Sequence, residues 1–146
     1  MAKAKKESPS PIPQPVPKQS GPPSPRWRAY LPVVAGWALP GGGHFWQRRW
    51  GRGALLLLSV LSMFLVGLGL RGKLYNFNSD DIVDILGWMA DLGAGGLFLA
   101  ARLLGYEVPE PPSAMADYGT KFLLTAGLLN ALAMLDAYDI AVKRKD

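Results

Sequence analysis

One histidine, a cluster of arginines and a few polar residues set in apolar runs are what this 146-residue chain offers for chemistry. His44 stands in the string Pro40-Gly-Gly-Gly-His-Phe-Trp-Gln-Arg48-Arg49-Trp-Gly-Arg52-Gly53. A histidine acts as a general base only beside a positioned partner. The chain has no cysteine and no second histidine, which rules out a multi-histidine metal site or a Cys/His dyad within one copy. A nucleotide phosphate cradle needs a GKS/T or GxGxxG spacing between a strand and a helix, and the glycines here have neither. Gly41, Gly43 and Gly53 therefore read as turn glycines. Arg48, Arg49 and Arg52 read as holders of lipid phosphates, flanked by Trp46 and Trp50 as interface aromatics. His44 is expected at that interface, bonded either to a neighbouring segment or to a lipid headgroup, with the headgroup side favoured.

Asp91 lies near the middle of the apolar run 85–101, where an unpaired charge costs about 2.5–3.5 kcal/mol on insertion scales. Gly87, Asp91 and Gly95 recur at every fourth position and share one helical stripe. Asp91 should thus face other helices and pair with a basic residue; an ion or proton relay is the competing use. Asn130, Asp136 and Asp139 fall in the last apolar run. Two carboxylates are few for Mg²⁺ or Ca²⁺, so no metal is expected there. The spacing instead predicts a helix end at the interface, with Asp139 paired to Lys143 four residues on. Ala133, Ala137 and Ala141 add a ladder of small residues suited to close helix packing.

The elements that position these residues follow from hydropathy. Residues 53–70 run without a charge and would make a helix of about 27 Å, close to the hydrocarbon thickness of a bilayer. Residues 85–101 and 122–141 are two further span candidates. Residues 30–39 are too short to span unaided and are followed by Pro40 and three glycines, so they either tilt or dip in and return. The expected fold is all-α, a transmembrane bundle of about four hydrophobic helices, the first short, over segments 30–47, 53–70, 82–104 and 118–142. Counting Lys and Arg gives 11 inside against five outside for a four-span path and for a three-span path with the first segment re-entrant. Both place the N-terminus in the cytoplasm. On both paths the glycine–histidine hairpin and the C-terminal acids emerge on opposite faces.

Before Arg26 the composition changes. Eight of the 13 prolines lie in residues 1–25, every second position from Pro9 to Pro17, with Lys3, Lys5 and Lys6 ahead of them. Alternate prolines remove backbone donors and exclude helix and sheet, predicting a disordered tail and one domain over 26–146. No apolar run of 7–15 residues follows the lysines, which argues against a cleaved signal peptide.

The string from Ala38 to Gly53, followed by an apolar helix, resembles the hairpin of the bacterial two-transmembrane-helix domain superfamily. The run from Asp117 to Asp139 resembles an uncharacterised relative, a small bacterial membrane protein family carrying a domain of unknown function. The resemblance implies a small integral membrane protein with no assigned activity. Residues 82–104, lying between the two strings, have no counterpart in the simple two-helix domain. The residues taken together predict a structural or accessory membrane protein, acting through helix–helix assembly with itself or in a membrane-protein complex, and the resemblance implies a bacterial inner membrane. The alternative is a small transporter or channel component using Asp91. The lipid bilayer is the expected partner, with no nucleic acid, no cofactor and no enzymatic activity.

Overall fold

The computed structural model describes residues 26–77, 81–106 and 113–142. The proline-rich tail and Lys143 lie outside the described residues, so the expected disorder and the Asp139–Lys143 pair do too. A 3-10 turn, Arg26–Tyr30, leads into α1 (Leu31–Ala38) and α2 (Gly42–Trp46). Then come α3 (Trp50–Gly69), α4 (Ile82–Gly93), α5 (Gly96–Leu103) and α6 (Ala114–Ala141). Among the described residues there is no strand, and the all-α expectation is borne out.

The helix ends follow local chemistry. Pro32 sits in the first turn of α1, where its missing N–H would have had no partner anyway. The Asp81 carboxylate accepts the Val83 N–H (2.9 Å) at the start of α4, and the Ser113 hydroxyl accepts the Ala116 N–H (3.2 Å) at the start of α6.

Two of the predicted segments are single helices, α3 and α6, each long and apolar enough to cross a membrane. The other two are each broken in the middle. Segment 30–47 divides into α1 and α2 at Pro40 and Gly41, the latter at φ 75°, the left-handed conformation expected of a turn glycine. Segment 82–104 divides into α4 and α5, whose axes differ by 106°. The span candidate over 85–101 is thus a bent pair of helices and not one straight helix. The cause is Gly95, at φ 60° and ψ −120°, a conformation closed to L side chains. A Cβ at Gly95 would also collide with the Trp37 carbonyl.

α6 is the axis of the molecule. It runs antiparallel to α3: Gly67 near the end of α3 packs on Gly119 and Leu123, and Gly43 just before α3 packs on Ala137. It runs parallel to α4, where Gly127 lies against the Ala90 carbonyl. Val60, Phe64, Leu74, Ala94, Phe98, Ala101, Leu123 and Ala126 form the core between them. The outward residues stay apolar. Leu55, Leu58 and Leu65 on α3 and Leu128, Leu132 and Leu135 on α6 are all exposed, the reverse of a water-facing helix.

Candidate functional site

Buried polar side chains gather in three places along α6. At its C-terminal end, His44 of α2 is 1% exposed, and its Nε2 lies 3.1 Å from Asp136 Oδ2. Arg52 Nη1 stands 3.9 Å from the same oxygen. Gln47 Nε2 donates to the Ala137 carbonyl at 2.6 Å. This corrects two expectations. His44 turns into the protein rather than toward headgroups, and the hairpin shares an end with the C-terminal acids instead of facing them across the bundle. The physical reason is the reversal at Pro40–Gly41: α2 returns to the end from which α1 entered. Of the three arginines, Arg52 is the one placed here beside an acid, Asp136. Arg48 is exposed, at φ 61°, and Arg49 is half-buried. Gly43 and Gly53 are buried contact points, under the Pro32 carbonyl and the Phe45 ring respectively. Asp139 is half-buried on α6.

Halfway along α6, Asn130 is fully buried. Its Nδ2 donates to the Gly36 carbonyl (3.1 Å) and the Gly93 carbonyl (2.9 Å), in the last turns of α1 and α4. Trp37 Nε1 donates to the Leu92 carbonyl at 3.1 Å. The last carbonyls of a helix have no partner within it. A single side-chain amide here serves two helix ends at once.

Toward the N-terminal end of α6 the group is centred on Asp91. It is fully buried, as the Gly87–Asp91–Gly95 stripe predicts, with Gly87 beneath the Tyr75 ring. Its hydrogen-bond partner is not the basic side chain expected but the Tyr75 N–H, at 2.8 Å to Oδ2. Arg102 acts on it as a nearby charge while donating to the Leu74 (3.2 Å) and Tyr75 (2.7 Å) carbonyls. The Tyr106 hydroxyl donates to the Leu68 and Gly72 carbonyls, and Lys73 Nζ pairs with Asp84 at 3.1 Å. Burial pushes the Tyr75 and Tyr106 hydroxyls above their ordinary pKa, against the opposing charges of Lys73 and Arg71. Both hydroxyls stay neutral near pH 7.

Sequence reasoning missed Trp37, Gln47, Tyr75, Arg102 and Tyr106. Trp37 and Gln47 flank the glycine turn and were within reach of the pattern. Arg102, a lone cation ending an apolar helix, was a weaker signal. Tyr75 contributes through its backbone, which no side-chain pattern announces. Among the described residues no three His, Asp or Glu side chains converge as metal ligands. The polar groups tie backbone segments and helices to one another.

No curated protein and no solved structure matches the chain. A family model does match, over residues 31–146, taking in all six helices and all three polar groups. The chain belongs to that family, described as a family of unknown function (DUF6677).

Proposed function

We propose that this is an integral membrane protein acting as a structural or accessory component, through helix–helix assembly with itself or within a membrane-protein complex, and not as an enzyme. The supporting observation is where its buried polar groups go. Asn130, Trp37, Gln47 and Arg102 donate to the chain's own carbonyls, and His44 pairs with its own Asp136. What remains for partners is the apolar outer face of α3 and α6. We place the protein in a bacterial inner membrane with a cytoplasmic N-terminus, supported by the excess of Lys and Arg at the N-terminal end. The glycine–histidine hairpin supports kinship with the two-transmembrane-helix domain superfamily.

Alkaline carbonate should leave the protein in the membrane. In mild detergent it should elute as one defined assembly, and zero-length crosslinking in native membranes should give the same stoichiometry. A monodisperse single copy in both measurements would sink the assembly reading.

One observation favours the transport alternative: Asp91 Oδ1 is buried without a hydrogen-bond partner. Ion flux into proteoliposomes, abolished by Asp91→Asn, would establish that use. Flux from the parent protein no greater than that of empty liposomes, or flux undiminished in the variant, would dismiss it.

A further inference from the structure

The contacts along α6 fix the direction of each broken segment. α1 begins with Tyr30 stacked on Tyr138, ring centroids 5.6 Å apart, and reaches Asn130 at Gly36. α2 then comes back: Gly43 lies against Ala137, His44 on Asp136 and Gln47 on the Ala137 carbonyl. The first hairpin enters and leaves at the C-terminal end of α6. The second does the same from the other end. α4 begins where Asp84 meets Lys73, whose own N–H is bound by Thr120 Oγ1 (2.8 Å), and reaches Asn130 at Gly93. α5 turns away at Gly95, and the chain returns to the end of α3, where Tyr106 bonds the Leu68 and Gly72 carbonyls. The two turns meet: Trp37 bonds Leu92, Gly95 lies against the Trp37 carbonyl and Gly96 against that of Ala38.

At 1.5 Å per residue, Asn130 is about 12 Å along α6 from Tyr138 and about 17 Å from Gly119, so the meeting point sits near the middle of a layer about 29 Å thick. That matches the hydrocarbon core of a bilayer. Non-helical backbone at that depth is tolerated only where protein covers it. Here each turn covers the other.

We infer that residues 31–47 and 82–106 are re-entrant hairpins that enter from opposite membrane faces and are latched tip to tip by Asn130. Only α3 and α6 cross. Each half of the chain is then a broken hairpin followed by a span, run in opposite senses, an inverted repeat of the kind that builds membrane sites at mid-depth. Arg26 and Val142 then lie on one face. With each flanking sequence counted on the side of the residue it joins, 12 of the 16 Lys and Arg residues count to that face; Arg71, Lys73, Arg102 and Lys121 count to the other. This split is wider than the 11 to five of either path read from the sequence, and it makes the shared face cytoplasmic.

The inference rests on the protein being in a membrane, and one experiment separates the two claims. The chain has no cysteine, so single variants need no altered background. Arg28→Cys and Gly51→Cys bracket the first hairpin at exposed positions; Asn76→Cys and Ala114→Cys, also exposed, bracket the second. Each is exposed to an impermeant maleimide in sealed right-side-out and inverted vesicles. We expect positions 28 and 51 to react only in inverted vesicles, and 76 and 114 only in right-side-out ones. Reaction of 76 and 114 from opposite faces, or of 28 and 51, means that hairpin crosses, and overturns the inference. The two pairs exchanging sides overturns the cytoplasmic assignment. Reaction of all four in both preparations, with release by carbonate, overturns the membrane reading itself.

Discussion

Replacing Asn130 with leucine removes one side-chain amide and leaves two carbonyls, those of Gly36 and Gly93, without their donor in the centre of the protein. Polar side-chain bonds between membrane helices average about 0.6 kcal/mol and reach about 1.7. Two such bonds lost together amount to roughly 1–3 kcal/mol. The lower end is favoured to the extent that leucine also removes Asn130 Oδ1, which is buried without a hydrogen-bond partner. Asn130→Asp keeps the shape but, when ionised, sets an acceptor against two acceptors, so at a pH high enough to ionise it the change should cost more than the leucine, on the order of 3 kcal/mol or above. Equilibrium unfolding in mixed micelles with rising sodium dodecyl sulfate, followed by tryptophan fluorescence, measures both. Trp37 sits at the affected contact and gives the local signal. A shift of roughly 5- to 150-fold in the folding equilibrium for leucine, and a larger one for aspartate, is expected. An aspartate variant as stable as the leucine one at that pH would show that residue 130 does not donate to both carbonyls, and the description of the junction would fall with it.

The other expectations are local. Gly95→Ala, strained at φ 60° and directed at the Trp37 carbonyl, should prevent accumulation of folded protein, while Gly105→Ala, at φ 73° with open space around it, should cost only about 1 kcal/mol by the same unfolding assay. Asp91→Asn keeps an acceptor for the Tyr75 N–H and should fold nearly as well as the parent. Asp91→Leu orphans that N–H and should lose about 1–3 kcal/mol. Arg71 holds a left-handed φ of 60° at an exposed position, so Arg71→Gly should stabilise by up to about 1 kcal/mol, seen as a higher unfolding midpoint. A double-mutant cycle of His44→Ala and Asp136→Asn should give a coupling of about 1 kcal/mol, limited by the one-third exposure of Asp136; additive losses would refute the pair.

Apolar runs announce helices but not their direction, and the difference decides how much of this molecule the sequence shows. α3 was plain because 53–70 carry no charge at all, and α6 because its polar residues are few and its alanines repeat. The inward face of Asp91 followed from the four-residue spacing of its glycines. Residues 85–101 gave no comparable sign of a break. Their hydropathy is the same whether the chain passes straight through or folds back at Gly95, and glycine in an apolar run fits close packing as well as a turn. The Trp37–Leu92 and Asn130–Gly36 bonds join residues 55 and 94 positions apart, beyond any local pattern. His44 was misplaced for a related reason. An interface histidine flanked by tryptophan and arginine reads as outward-facing until the partner helix is known to end beside it.

The order of synthesis gives the Asn130 junction a further meaning. A ribosome delivers α1 first and α6 last, so the helix that satisfies the Gly36 carbonyl emerges 94 residues after it. Until then both broken hairpins hold bare carbonyl ends that oil cannot solvate. They are best kept at the headgroup level, where water can reach them, and drawn inward only when α6 arrives. Maturation is therefore expected to be post-insertional and late. A chain stopped before residue 130 would hold every hydrophobic segment except the last and still lack the donor that seats the first.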